Sequence, residues 1–333
     1  MFTKLINGED TFTELASDWD GLARGSITDT PFQTLAYQQA WWRYLQPAKA
    51  TLHTISVHEE NGSLVAIASF YLLNDTLYFN CSVEETDYLD MIVHTEQAEA
   101  AWTAVFNCLC SSHFPHWDAL DLSNIPEASP SRPILQKLAQ ERGLSFVETI
   151  QEVCPTIQLA DTFDAYLEGI DSKQRRELQR KLRRADAADV QLVQVSSDDD
   201  INQAVDEFLD LLQKSTLEKR DWLNDGRRAL FYDTARTAQA AGTLQLLFVE
   251  VNARKAATLF NFDYNGRIWV YNSGLDPASF SALSLGVIIT AKAIQKAIEN
   301  GRTTFDFLRG NEVYKYRFGA EDTRIYNIKI NRN

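Results

Sequence analysis

The chain is poor in the residues that mark specialised architectures. It has four cysteines in 333 residues, Cys81, Cys108, Cys110 and Cys154. That is too few for a disulfide scaffold and fits reduced thiols in a cytoplasmic protein. Gly 14 and Pro 8 exclude collagen-like and proline-rich designs. No apolar run approaches the roughly 18 residues that a membrane span needs. The start, Met1-Phe-Thr-Lys-Leu-Ile-Asn-Gly-Glu-Asp10, lacks the charged and then apolar pattern of a secretory signal. No histidine follows His116, so the second half has no imidazole for catalysis and no Ser-His-Asp arrangement. Positive charge is also scarce. With 32 basic and 46 acidic residues the net charge is −14, which argues against a general binder of DNA or anionic membranes.

One cluster has metal-ligand residue types. Cys108, Cys110, His113 and His116 lie within nine residues. Structural zinc sites draw their pairs from separated turns, whereas these two thiols close an amphipathic run and point to different helix faces. The reading is a helix end with buried thiols, and no metal is expected.

What is present is a pattern that occurs twice. In the second half, residues 243–251 and 255–264 read as strands. Asn265-Gly266 is a hairpin dipeptide, because both residues tolerate positive φ, and 267–272 is the return strand. Ser284 then stands as an N-cap before a helical stripe, Val287, Ala291, Ile294 and Ile298, which Asn300-Gly301 stops. A strand at 303–308, a short helix at 312–318 and a strand at 324–330 follow. The first half gives strands at 53–58, 64–73 and 76–80, a loop with Asp87-Tyr-Leu-Asp90 and a helix at 96–110. A strand at 119–122, a helix at 134–142 and a strand at 145–149 complete it. Both halves read β-β-β-α-β-α-β, and Asp121 occupies the place of Asp306. This predicts an α/β protein with a mixed sheet, duplicated in tandem, divided as residues 1–158 and 159–333. Helices over 201–213 and 226–241 begin the second copy. The helix over 33–45 plays that part in the first, with Trp41, Trp42 and Tyr44 as core.

Two stretches carry candidate function. Residues 173–184 hold seven basic residues and one acidic, leaving 25 basic against 45 acidic elsewhere. Such a concentration reads either as an anion site, with Arg176 and Arg180 as substrate-binding residues, or as a solvated helix face. The second stretch, Phe305-Asp-Phe-Leu-Arg-Gly-Asn-Glu-Val-Tyr-Lys-Tyr-Arg-Phe-Gly319, runs from a strand into a polar, aromatic helix. That is the end of a strand where ligands bind in open α/β sheets.

The stretch 306–319 resembles a signature of GNAT-type acyltransferases of the CelD-like group, associated with cellulose and exopolysaccharide biosynthesis. There a strand ending in Asp-Phe-x-Arg-Gly runs into Tyr-Lys-x-x-Trp/Phe-Gly. Ser284-Leu-Gly286 is similar to the group's Ser-Pro-Gly helix start, residues 173–184 to its Arg-rich linker helix, and Asp87–Asp90 to a segment of its first domain. The resemblance implies a tandem GNAT fold, shared with FemAB-like transferases, and acyl transfer from acyl-CoA to an amine or amino sugar. It places the donor's pyrophosphate on the amides of Ser284, Leu285 and Gly286, with Arg309 as a further cofactor ligand. It makes Asp306 the base or amine-orienting group, Tyr314 the proton donor to the thiolate, and Lys315 an anion-binding substrate residue. The helix start has one glycine where the group's loop has more, and the first copy has no glycine-rich start, which marks it as degenerate. Two alternatives stand beside this reading. One is FemAB-like aminoacyl transfer from charged tRNA; the other is a non-catalytic scaffold of a polysaccharide-assembly complex.

Overall fold

The computed structural model describes residues 1–332, apart from the side chain of Ser281. The chain divides into two compact units, one of residues 1–152 together with the stretch from Arg324, the other Val153–Thr323. The division therefore falls six residues before the 158/159 boundary that the sequence suggested, and the C-terminal strand goes with the first unit.

Unit 1 contains β1 (Phe2–Asn7), α1 (Thr11–Glu14), α2 (Trp19–Ala23), α3 (Leu35–Leu45), β2 (Thr51–His58), β3 (Leu64–Leu73), β4 (Thr76–Phe79) and β5 (Ile92–Val93). It continues with α4 (Ala98–Leu109), β6 (Ala119–Pro126), α5 (Ser131–Glu141) and the first part of β7 (Ser145–Gln158). Unit 2 contains the rest of β7, then α6 (Phe163–Gly169), α7 (Ser172–Ala187), β8 (Gln191–Gln194), α8 (Ile201–Ser215), α9 (Leu217–Trp222) and α10 (Asp225–Ala240). The unit ends with β9 (Leu244–Val251), β10 (Arg254–Tyr264), β11 (Arg267–Leu275), α11 (Leu285–Glu299), β12 (Thr304–Asp306) and α12 (Val313–Arg317). Strand β13 (Glu321–Asn331) closes the chain, and from Arg324 it belongs to unit 1.

Unit 1 orders its strands β1-β2-β3-β4-β6-β13. β2, β3 and β4 are antiparallel, and β4 then pairs β6 in parallel, Thr76 opposite Ala119 and Leu77 opposite Leu120. Unit 2 orders its strands β7-β12-β11-β10-β9-β8. β9, β10 and β11 are antiparallel, and β11 pairs β12 in parallel, from Arg267 opposite Thr304 to Trp269 opposite Asp306. The duplication read from sequence is thus present in the strand order. Thr304 and Phe305 match Ala119 and Leu120 in register, and Asp306 matches Asp121.

Alternation along the unit 2 strands gives two cores. Leu247, Val249, Ala257 and Leu259 face one way, into a cluster with Ile288, Ala291 and Ile294 of α11 and Leu178 of α7. Phe260 faces the other way, against Phe208 of α8 and Phe231 of α10. The sheet therefore has helices on both faces, with α11, α6 and α7 opposite α8 and α10.

Candidate active site

The parallel pairing of β11 with β12 lasts three residues. After Asp306 the chain turns away. Phe307 N–H donates to Pro155 O and Gly310 N–H to Val153 O, both on β7. β11 continues to Leu275 without β12 beside it, so the two strands part at their carboxyl ends. Such a place is where open α/β sheets take ligands.

The turn is built by two predicted site residues, and both serve the fold. Asp306 is 2% exposed. One carboxylate oxygen accepts the Leu308 N–H at 2.7 Å, which supports Leu308 in a left-handed conformation with φ 56°. Lys315 is 3% exposed, and its ammonium donates to the carbonyls of Leu308, Arg309 and Gly310 at 3.2, 2.8 and 2.9 Å. It also pairs with the Glu312 carboxylate at 2.9 Å. An ammonium has three hydrogens and no more. Lys315, expected to bind substrate, therefore staples the loop from inside and does not line the cleft described next. Arg309 supplies a carbonyl to that staple, and neither it nor Asp306 lines the cleft described next.

That cleft has a volume of about 470 Å³ and lies within unit 2. Its walls are Lys173, Gln174, Arg176, Glu177, Leu178, Arg180 and Lys181 of α7, Val287 of α11, and Tyr314, Arg317 and Phe318 at α12. Five cations and one carboxylate line it, in a chain that is otherwise strongly acidic. α7 forms because Asp171 caps it, accepting from the amides of Lys173 and Gln174. Leu178 and Ala185 anchor the helix in the core, so its cations are left to the outer faces. Arg180 forks onto Glu177 at 2.8 and 2.9 Å, and Arg176 donates to Ser172 O at 3.2 Å. Arg176 and Arg180, chosen from sequence, both reach this cleft, and so does Tyr314. Arg317 and Lys173 join them; both lie within the two stretches that the sequence analysis singled out.

Tyr314 stands with its ring edge-on to Phe307, the centroids 6.0 Å apart. The residue is 40% exposed, but its phenol has protein crowded around it. That burial, reinforced by the Glu312 carboxylate, pushes its pKa above the usual phenol value. The hydroxyl keeps its proton throughout the neutral range.

The start of α11 borders the same region. Ser284 sits at the N-cap position, but with a left-handed backbone (φ 56°, ψ 49°) and no cap from its hydroxyl. Its carbonyl instead accepts from Val287 and Ile288. The expected side-chain cap is absent because the chain enters the helix from a short 3₁₀ turn, Ser281–Leu283, at an angle that an N-cap serine does not adopt. The amides of Leu285 and Gly286 are the first in α11, where no intrahelical acceptor exists. A Cβ on Gly286 would meet only Leu275 Cδ2, at 3.5 Å, so neither packing nor backbone demands glycine there. Among the described residues, no three His, Cys, Asp or Glu side chains converge as a metal site. Cys110 is exposed, and His116 pairs with Asp118 at 3.1 Å.

A basic group missed in sequence lies against the unpaired half of β11. Lys219 of α9 donates from Nζ to Ser273 O at 2.5 Å, and to Ser273 Oγ and Asn272 Oδ1 at 3.2 Å each. Within Leu217-Glu-Lys-Arg-Asp-Trp222 nothing distinguishes it from its solvated neighbours.

Residues 172–316 match the family described as acetyltransferase (GNAT) domain. No curated protein sequence matches the chain. Among solved structures the chain resembles FemX, with TM-score 0.68 and 10% identity over 97% of this chain and 96% of that one. It also resembles the C-terminal domain of a putative lysylphosphatidylglycerol synthetase from Agrobacterium fabrum, with TM-score 0.59 and 11% identity over 98% and 93%. A tandem GNAT protein from the clavulanic acid biosynthesis pathway superposes with TM-score 0.50 and 13% identity over 98% of both chains. The fold is a tandem GNAT fold, and the stretch that matches the acetyltransferase (GNAT) domain family lies within unit 2. No helix among the described residues is long and apolar enough to cross a membrane.

Proposed function

We propose that the chain is an N-acyltransferase that moves an acyl group from an acyl-CoA thioester to a small-molecule amine, with an amino sugar of polysaccharide biosynthesis as the acceptor class. The observation that carries this reading is the shared cleft. It sets Tyr314, whose phenol stays protonated, beside five cations and the first turn of α11. Lys173, Arg176, Arg180, Lys181 and Arg317 offer charge to the donor's phosphates, and the free amides of Leu285 and Gly286 add the positive end of the helix dipole. The amine nitrogen attacks the thioester carbonyl, the C–S bond breaks, and Tyr314 gives its proton to the departing sulfur. The proton lost by the amine restores the phenol through solvent. Asp306, buried and engaged with Leu308, takes the orienting role by fixing the end of β12.

Thermal unfolding with acetyl-CoA, CoA or charged tRNA tests the donor, because a ligand bound only by the native state raises Tm. Tyr314→Phe is expected to leave acetyl-CoA affinity intact and lower single-turnover transfer on the order of 10²-fold. A stabilisation by charged tRNA alone, falling steeply with salt, favours the second reading, aminoacyl transfer from tRNA. The concentration of charge on α7 is the feature that supports it.

A further inference from the structure

β11 loses its neighbour after Trp269, and a strand edge without a partner presents bare N–H and C=O groups. Here those groups are taken by side chains of α8 and α9 and by Asn272 of β11 itself. The Leu275 N–H donates to Ser215 Oγ at 2.7 Å, and the same hydroxyl lies 3.3 Å from the Leu275 carbonyl. The Ser273 N–H donates to Asn272 Oδ1 at 2.9 Å. The Ser273 carbonyl, its hydroxyl and Asn272 Oδ1 all accept from Lys219 Nζ. Between them, Gly274 lets the backbone of α8 come so close that a Cβ would lie 2.5 Å from Leu212 N. The free half of β11 is thus fastened to α8 and α9 at three successive residues, with Lys219 as its only charged fastener among the described residues.

We infer that Lys219 is a positioning residue of the transfer site, a clamp that stands in for the missing strand along β11 and holds its end, Leu275, against the first turn of α11, where a Cβ on Gly286 would lie 3.5 Å from Leu275 Cδ2. That the first turn of α11 receives the donor rests on the acyltransferase reading above; the clamp itself does not. Three acceptors surround Nζ, matching the three hydrogens of an ammonium. A neutral amine has two, so one of these bonds must be given up when the proton leaves. Burial holds the Lys219 pKa down to about 8, while Glu312 and Glu218, the charged groups that act on it, pull it back up. The clamp therefore loosens in a range where other lysines remain charged.

The test uses the full chain, with acetyl-CoA as probe, at pH 7.5 to 9.5. Wild-type affinity is expected to fall several-fold across that range. Lys219→Arg, which stays charged, is expected to remove the fall, and Lys219→Met to bind about tenfold more weakly with no pH dependence in that range. Hydrogen exchange reads the clamp without any ligand. Peptides covering 270–275 are expected to exchange at least about tenfold faster in Lys219→Met than in wild type at pH 7.5, with Lys219→Arg restoring protection. Wild-type exchange over 270–275 in Lys219→Met overturns the clamp. Intact protection changes with no acetyl-CoA binding by the wild type would instead overturn the donor assignment and leave the clamp standing. A pH dependence of affinity that persists in Lys219→Arg assigns the titration to another group and overturns the positioning role.

Discussion

The two units share a strand order and differ in what fills the space beside it. In unit 1 that space is closed by aromatic side chains and a buried polar network. Trp19, Trp41, Trp102 and Trp117 are among its fully buried residues. Asp90 accepts from Ser129, from Ser131 at 2.6 Å and from the Met91 N–H at 2.8 Å, and Gln33 donates to its carbonyl. In unit 2 the helices α7, α11 and α12 border a cleft lined by cations. The paired aspartates show the same divergence. Asp121 is held by Asn327 at 2.6 Å and Lys329 at 3.1 Å, while Asp306 shapes a turn. One backbone plan thus surrounds a filled interior in one copy and stands in the same unit as a cation-lined cleft in the other. The difference lies in side-chain volume and charge, not in topology.

The strongest way to break this contrast is to open unit 1. Trp102 is fully buried, and its indole donates to Ser131 Oγ at 2.7 Å. Trp102→Ala should cost about 3–5 kcal/mol in urea unfolding. If unit 1 is a scaffold, acetyl-CoA affinity of the folded variant should be unchanged. A variant that stays folded but loses donor binding would remove the scaffold assignment.

Next in size is the loop staple in unit 2. Lys315→Met leaves three loop carbonyls without their donor and should destabilise by about 3 kcal/mol. Hydrogen exchange should quicken over 307–312. A Lys315→Met protein of wild-type stability with weakened donor binding would return Lys315 to a ligand role.

The buried carboxylate of unit 1 gives a smaller, pH-dependent effect. Burial raises the Asp90 pKa to about 6, against the pull of Ser129, Ser131 and the Met91 amide. A carboxyl raised above its unfolded value contributes stability that is fully present near pH 4 and lost as pH rises through about 6. Asp90→Asn, which loses acceptors but carries no charge, should be less stable than wild type at pH 4. The gap should narrow by on the order of 2 kcal/mol by pH 7. Equal gaps at both pH values in chemical denaturation would place the titration elsewhere.

The smallest effect separates stability from binding. Gly286 has room for a methyl group and a helical backbone, so Gly286→Ala should stabilise by about 0.5–1 kcal/mol. Donor affinity should nonetheless fall if phosphate approaches that backbone. A stabilised variant with unchanged acetyl-CoA affinity would move the phosphates away from α11.

Much of the strand plan was readable in sequence because the turns announce themselves. Asn265 and Gly266 both have positive φ, as the dipeptide implies. α11, α8 and α10 follow their apolar stripes to within two residues. The basic run 173–184 lies inside α7. What could not be read depends on contacts between distant segments. β7 extends to Gln158, well past the expected 149, because Thr156–Gln158 pair with β12. Lys315 sits in a polar helix that looks solvent-facing until the loop of Leu308–Gly310 folds around its ammonium. Lys219 has no local signal at all, since its partners are 53 and 54 residues away. Arg176 and Arg180, singled out by charge density, and Tyr314, singled out by the resemblance of 306–319, line one cleft.

The Lys315 staple has a consequence for chemical self-protection. A thioester acylates any uncharged amine within reach, and an enzyme holding one beside its own lysines is exposed to that damage. Lys315 adjoins Tyr314 in the chain, yet every hydrogen on its nitrogen is engaged by a loop carbonyl or by Glu312. Its nitrogen cannot present a lone pair without dismantling the loop. The lysine that adjoins Tyr314 is thereby rendered non-nucleophilic by the same bonds that shape the turn, and under the acyltransferase reading it offers no rival to an incoming amine.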